Sequence, residues 1–255
     1  MSKRQGRDLR AIRPVQIETG FHRLSEGSVL YRAGGTVVLV TASVDESVPE
    51  FMRGSNRGWV TAEYQMHPRA NPQRREGREG RGKSLSGRTQ EIQRLIGRAL
   101  RSSLQLDRLG ERTIAIDADV LEADGGTRTA SITGGFVAMA LALAKLHRSG
   151  RLAGPVVRDQ VAAVSVGHVD GQQALDPCYA EDSAARMDLN VVATSRGGIV
   201  EVQATAEGEA VPKSDIDSMI ELAMHGIERL MRVQSEALRE AGVDETLLYI
   251  PRGGA

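Results

Sequence analysis

The chain has 255 residues and a formal net charge of zero, from 33 Lys and Arg against 33 Asp and Glu, so a charged partner must be bound by a local patch. Apolar residues make up 40% of the chain and aromatic residues only 3%, which predicts an aliphatic core and argues against an aromatic platform that stacks successive bases. The single cysteine, Cys178, excludes an intramolecular disulfide and a CxxC-type metal site.

The first predicted element is a β-hairpin over residues 28–44, where two β-rich runs flank Ala33-Gly34-Gly35. A basic loop, residues 66–87, comes later and has no periodicity but many Pro, Gly and Arg residues. Between residues 67 and 87, six Arg or Lys side chains stand against two Glu, a local charge of +4. Such a segment suits a phosphate backbone, and a solvated, disordered loop is the alternative. Its cations are Arg69, Arg74, Arg75, Arg78, Arg81 and Lys83.

Helical periodicity begins after the basic loop. Apolar residues recur every three or four positions and predict a helix within residues 88–107: Ile92, Leu95, Ile96, Ala99, Leu100 and Leu104. A strand is predicted at residues 113–121, with Asp117 and Asp119 on its polar face. The glycine-rich corner that follows leads into an apolar helix that extends to about residue 147.

The remaining elements are a buried strand at residues 160–169, two strands around the turn Arg196-Gly197-Gly198, and a C-terminal helix. That helix is predicted at about residues 214–241, with Ser214 as its N-cap. No Pro/Gly linker divides the chain, so we expect one α+β domain over residues 1–255.

The expected location follows from features of the same kind. A lone cysteine suits a reducing cytoplasm, and the charged start, MSKRQGRDLRAIRP, has no apolar signal-peptide segment. The longest apolar stretch, near residues 136–146, is interrupted by Lys145 and is predicted to be too short to span a membrane. We therefore expect a soluble, cytoplasmic protein without a membrane partner.

The corner LEADGGTRTASITGG, from residue 121, has the composition of an anion site. The N–H groups at a helix start attract anions, glycines let the backbone approach, and Arg128 can donate two hydrogen bonds. A second corner, SLSGRTQEIQRL, places Arg88 at another predicted helix start, so two helix N-termini could hold one anion. No P-loop pattern is present, and an ordinary tight turn with a helix cap remains the alternative.

A second candidate site lies in YAEDSAARMDLNVV, where Asp182 precedes a predicted strand and Asp188 lies within it. Asn190 shares a strand face with Asp188. Two carboxylates and an amide oxygen suit Mg²⁺, which keeps waters and phosphate oxygens as its other ligands. A pair of solvated acids at a strand edge is the alternative.

Several long motifs together resemble the ribonuclease PH family: GRDLRAIRP, RGWVTAEYQMHPRA, SGRTQEIQRLIGRALR, GERTIAIDADVLEADGGTRTASITG and EDSAARMDLNVV. The resemblance runs from about residue 6 to residue 240. It implies the ribosomal-protein-S5-domain-2-like fold, with a mixed sheet packed with helices. It also implies a phosphorolytic 3′-to-5′ exoribonuclease that acts on transfer-RNA precursors and other RNA 3′ ends, assembled as a homohexamer, a trimer of dimers.

The resemblance also implies roles for individual residues. Phosphate binding falls on Arg88, Gly126, Thr127 and Arg128, and the catalytic carboxylates, which also hold Mg²⁺, fall on Asp182 and Asp188. The basic loop is more Arg- and Gly-rich than the family pattern, so the predicted RNA contacts Arg69, Arg74, Arg75 and Arg78 rest on charge.

The residues offer no protein nucleophile, since neither a GxSxG elbow nor a Cys–His pattern occurs. The attacking group is then expected to be inorganic phosphate as co-substrate. Two alternatives stay open: an inactive RNA-threading subunit of a ring, and a metal-dependent hydrolytic nuclease.

Overall fold

Two β-sheets and the helices packed against them organise the chain. The computed structural model describes residues 4, 6–71, 73, 75–79, 84–207 and 209–251. The strands are β1 (Val15–Thr19), β2 (Gly27–Ala33), β3 (Thr36–Asp45), β4 (Trp59–Met66), β5 (Thr113–Glu122), β6 (Val161–Val169), β7 (Gln172–Leu175), β8 (Met187–Thr194) and β9 (Ile199–Ala206). The helices are α1 (Gly87–Ser102), α2 (Thr127–Arg148), α3 (Tyr179–Asp182) and α4 (Lys213–Glu240).

The first sheet has five strands in the order β1-β2-β3-β5-β4. Its strand pairs are antiparallel except β4 and β5, which run parallel because α1 connects them as a crossover. The predicted mixed sheet is therefore confirmed. A second, antiparallel sheet joins four strands in the order β7-β6-β8-β9.

Helix α2 lies at the centre of the fold, against β2 and β3 on one side and β6 on the other. Its packing on β2 is so close that a side chain on Gly27 would collide with the carbonyl oxygen of Ala138. With 22 residues, α2 is long and apolar enough to cross a membrane by length and composition, but 89% of its apolar window is buried in the fold. The apolar stretch predicted at residues 136–146 is therefore shorter than the apolar helix in the structure. Burial of that helix inside the fold explains its apolar composition.

Two clusters of aliphatic side chains form the core. One fills the space between the five-stranded sheet, α1 and α2, and the other lies between the four-stranded sheet and α4. The first cluster includes Val161 and Ala163 of β6, so the two sheets share buried contacts through α2.

Most of the predicted elements are confirmed: the hairpin β2–β3, the helices α1, α2 and α4, and the strands β5, β6, β8 and β9. The N-cap prediction is wrong, because α4 begins at Lys213 after Pro212 and Ser214 lies inside its first turn. Strands β1, β4 and β7 and the single turn of α3 were not predicted from the sequence.

Candidate active site

The predicted phosphate and carboxylate residues line one pocket of about 820 Å³, where the starts of α1 and α2 face α3, β8 and β9. Its walls include all six of them: Arg88, Gly126, Thr127, Arg128, Asp182 and Asp188. Residues from the first half of the chain thus meet residues from the second half across an open cavity.

The corner between β5 and α2 has a backbone that glycine alone adopts readily. Gly125 and Gly126 both have left-handed φ angles, of 78° and 65°. A Cβ atom on Gly125 would lie 2.6 Å from the carbonyl oxygen of Pro177. Gly126 is the N-cap of α2, and no side chain caps the helix, so its first N–H groups remain available to an anion in the pocket.

A buried ion pair behind this corner holds its shape. Arg13 donates to both carboxylate oxygens of Asp176 and to the carbonyl oxygen of Asp124, the last at 2.6 Å. Burial alone would raise the pKa of Asp176, but its hydrogen bonds and ion pair with Arg13 outweigh burial and lower that pKa. Thr36 also supports the corner, since its hydroxyl donates to the carbonyl oxygen of Gly125 at 2.6 Å. The supporting roles of Arg13, Asp176 and Thr36 were not predicted from the sequence.

The two arginines differ in how they are held. The guanidinium of Arg128 donates to the amide oxygen of Gln203 on β9 at 2.9 Å, and Gln203 in turn donates to Glu91 of α1 at 3.0 Å. The side chain of Arg88 is exposed and makes no hydrogen bond to another described residue. Arg128 is therefore fixed in place, whereas Arg88 is free to move onto a ligand.

The starts of α1 and α2, which were predicted to hold one anion together, differ in their capping. At the start of α1, the hydroxyl of Ser86 accepts from the N–H of Thr89, and Glu79 accepts from the N–H of Ser86 at 3.1 Å. The Ser86 cap satisfies one N–H group of the first helical turn, that of Thr89. Helix α1 thus contributes the side chain of Arg88 beside a capped helix start, whereas the start of α2 has no side-chain cap.

Two carboxylates face the arginines from the other side of the pocket. Asp182 ends α3 and Asp188 lies on β8. Partial loss of solvent raises the pKa of both, and the charge of Asp188 raises that of Asp182 further. Arg128 and Arg88 oppose this rise by favouring the ionised forms. Carboxylates with raised pKa values in a cleft are typical of functional sites.

Asn190 orients one of these carboxylates. Its amide nitrogen donates to Asp188 at 2.9 Å, and its amide oxygen accepts from the hydroxyl of Ser165 at 2.8 Å. The side chain is buried, with 7% exposure. Asn190 shares a strand face with Asp188, as predicted, but its contacts make it a support for Asp188 rather than a metal ligand.

The carboxylate oxygens of Asp182 and Asp188 are also suitable ligands for a divalent cation. Among the residues that the structure describes, no group of three His, Cys, Asp or Glu side chains is placed to hold a metal. Mg²⁺ typically needs only one or two carboxylates, with waters and substrate phosphates as its other ligands. The charge of Asp188 raises the pKa of Asp182 because the two carboxylates repel each other in one cavity. A bound cation would reduce that repulsion.

The basic loop leads into the same pocket. Asn71 lines the pocket wall, and the carbonyl oxygen of Ala70 accepts from the N–H of Ala123 at 3.0 Å, beside the phosphate corner. Arg69, Arg75 and Arg78 are exposed to solvent. Arg74, Arg81 and Lys83 lie outside the described residues.

Comparisons with known proteins show the family of the chain. Two models of the 3′ exoribonuclease family match the chain, domain 1 at residues 11–145 and domain 2 at residues 159–226. The chain therefore belongs to the 3′ exoribonuclease family. A relative from Crocosphaera subtropica (strain ATCC 51142 / BH68), named ribonuclease PH, is 52% identical over 236 residues, which cover 92% of this chain and 97% of the relative. The activity that goes with this relationship is that of a phosphate-dependent exoribonuclease.

Solved structures support the fold. The crystal structure of rice (Oryza sativa) Rrp46 matches with a TM-score of 0.73 at 17% identity, over 92% of this chain and 99% of that one. The Archaeoglobus fulgidus exosome with RNA bound to the active site matches with a TM-score of 0.73 at 21% identity, over 89% and 91% of the two chains. The predicted fold class is confirmed.

Proposed function

We propose that the chain shortens the 3′ ends of transfer-RNA precursors by phosphorolysis, with the 820 Å³ pocket as its active site. One observation carries this proposal: an anion site made of Arg88, Arg128 and the uncapped start of α2 faces a pair of carboxylates across a single cavity. The anion site suits inorganic phosphate, and the cavity has room for the last nucleotide of an RNA.

The chemistry follows from this placement. An oxygen of the bound phosphate attacks the phosphorus of the last phosphodiester bond, and the bond from that phosphorus to the penultimate 3′-oxygen breaks. The 3′-oxygen takes up a proton, and the last nucleotide leaves as a nucleoside 5′-diphosphate. The arginines and the N–H groups of α2 position the nucleophile and balance the charge that gathers on the five-coordinate phosphorus.

Asp182 and Asp188 are the residues that would hold Mg²⁺. A bound divalent cation supplies charge stabilisation to the departing oxygen. Asn190 keeps Asp188 oriented for this role, because its amide hydrogen bond fixes one carboxylate oxygen. The pKa values of both aspartates are raised, and a carboxyl group with a raised pKa can act as a proton donor. One of the two would therefore supply the proton that the departing 3′-oxygen takes up.

A single assay tests the reaction. The protein is incubated with an RNA labelled at its 5′ end, with and without inorganic phosphate, and the released nucleotides are identified. Nucleoside diphosphates that form only with phosphate support the proposal. Monophosphates would indicate a hydrolytic nuclease, and RNA binding without release would indicate an inactive subunit; either result would overturn it.

The basic loop is proposed to hold the RNA away from the scissile bond. Changing Arg69, Arg75 and Arg78 together to Gln is expected to weaken trimming of a structured precursor and to flatten the salt dependence of RNA affinity. Each lost phosphate contact should reduce the slope of log affinity against log salt by about 0.7 to 0.9. Turnover of a short, unstructured oligonucleotide at saturating concentration should persist. Filter binding and trimming assays over a salt series measure both effects.

A matched variant controls for loss of charge alone. Arg148, Arg229 and Arg232 are also exposed, and none of them lines the active-site pocket. Changing these three to Gln should leave both slope and trimming unchanged. Equal losses on the structured and the short substrate in the loop variant would place the loop in the catalytic step instead.

Assembly and location complete the proposal. A homohexamer, as a trimer of dimers, is supported by the family relationship and by exposed apolar side chains that subunit contacts could cover, Leu24 at 86% and Phe51 at 72% exposure among them. Sedimentation equilibrium of the active protein tests the assembly, and a stable, active monomer would refute it. The cytoplasm is the proposed compartment, on the grounds of the single cysteine.

A further inference from the structure

A buried tyrosine stands directly behind the phosphate corner. Tyr64 lies on β4, has 3% of its surface exposed, and does not line the pocket. Its hydroxyl is 2.8 Å from the hydroxyl of Thr127, the first residue of α2, which does line the pocket. That separation is typical of a well-formed O–H···O hydrogen bond.

The direction of this bond decides what Thr127 can do. A hydroxyl group has one proton to donate, and its oxygen can accept others. Burial raises the pKa of Tyr64, so its phenol keeps its proton at neutral pH. When an anion occupies the pocket, its charge draws the proton of Thr127 towards it. The oxygen of Thr127 then faces Tyr64 as an acceptor, and the phenol has a proton to donate.

We propose that Tyr64 is a positioning residue for the phosphate co-substrate. Its hydroxyl donates a hydrogen bond to the hydroxyl of Thr127, and the hydroxyl of Thr127 then donates one to phosphate. The proposal rests on the proposed function of this pocket. The two hydroxyls and the anion form a chain in which each hydrogen bond polarises the next and strengthens it. Tyr64 therefore acts on phosphate without touching it.

Tyr64→Phe is the decisive variant, because it removes only the hydroxyl and keeps the ring in the core. We expect its KM for phosphate to rise by about threefold to tenfold, as is usual for loss of one hydrogen bond. Its kcat and its KM for RNA should stay close to those of the unchanged protein. The stabilisation of the protein by phosphate in a melting experiment should weaken in parallel, which gives a readout independent of turnover.

A double-mutant cycle separates this role from simple packing. Thr127→Val keeps the shape of the side chain and removes its hydroxyl, so Tyr64→Phe should have no further effect on the phosphate KM in that background. Thr127→Ser should keep the response to Tyr64→Phe. A phosphate KM that Tyr64→Phe leaves unchanged, or changes equally with and without the Thr127 hydroxyl, would overturn the inference.

Two controls complete the experiment. The hydroxyl of Tyr249 is buried without a hydrogen-bond partner among the described residues, and Tyr249 does not line the pocket, so Tyr249→Phe should leave the phosphate KM unchanged. Arg128→Ala reports on the pocket itself. If Arg128→Ala raises the phosphate KM and Tyr64→Phe does not, only the role of Tyr64 fails; if neither does, the phosphate site is misplaced and both proposals fail.

Discussion

Replacement of Arg128 or Arg88 with Ala is expected to cost about 1.5–3 kcal/mol in the use of phosphate, a rise of about 10-fold to 160-fold in its KM. In the proposed site, both guanidinium groups line the pocket at the start of α2 and would make charge-assisted hydrogen bonds to phosphate. RNA affinity should change much less, because neither arginine belongs to the basic loop. Initial rates over a grid of phosphate and RNA concentrations separate the two constants.

Arg94→Ala is the matched control for this experiment. Arg94 lies on α1 between Arg88 and the end of the helix, is exposed, and does not line the pocket. Its loss should leave the phosphate KM unchanged. If Arg88→Ala and Arg128→Ala both kept a normal phosphate dependence, the assignment of the anion site would be wrong. The Gln203 contact further predicts that Arg128→Ala has the greater effect, because Arg128 is already held in position.

Asp188→Asn should reduce turnover by about 100-fold or more, since it removes a charge from the transition-state environment without changing the side-chain shape. Asp182→Asn should act in the same direction. The measurement is kcat over a Mg²⁺ titration at saturating phosphate and RNA. Full activity of both variants across the titration would exclude the two carboxylates as metal ligands. Asp170→Asn is a suitable control, because Asp170 is an exposed acid with a φ of 50° that Asn also tolerates.

The same carboxylates predict how the reaction rate and the stability change with pH. Their pKa values are raised above the ordinary 3.8, so the acidic limb of the rate profile should lie above that pH. Asp188→Asn should lower the pKa of Asp182, because it removes a negative charge that raises it. A raised pKa means that the folded state binds the proton more tightly than the unfolded state, so stability falls as pH rises through these values. Asp188→Asn should therefore melt at a higher temperature at neutral pH while it loses activity.

Long periodic segments were predictable from the sequence because one physical signal dominates each of them. The apolar stripe of α1 and the alternation in β5 both follow from a single buried face. Strand β4 was missed because it pairs with β5 through a crossover, a contact between residues distant in the chain that local patterns do not carry. The start of α4 was misplaced because Ser214 has the chemistry of an N-cap, whereas the chain enters the helix at Pro212.

The charged residues of the pocket could be predicted from the sequence, but the residues that hold them in place could not. Arg88, Arg128, Asp182 and Asp188 belong to compact motifs of charged and small residues, whose composition indicates anion and cation binding even before the fold brings them together. Gln203 and Asn190 are ordinary polar residues on strands, and their roles depend on register, which sets Asn190 opposite Gln203 in the second sheet. Arg13 and Tyr64 act from behind the corner, and only the folded chain brings them there.

The pocket is divided between the two halves of the chain, and this division bears on whether either half could act alone. The region before residue 149 supplies both arginines and the start of α2, and the region after residue 158 supplies both aspartates. Their shared core through α2 and β6 means that neither region can keep its buried surface covered without the other. A gene split at this junction would yield two fragments with half a reaction centre each. The pocket therefore forms only where the two regions fold together.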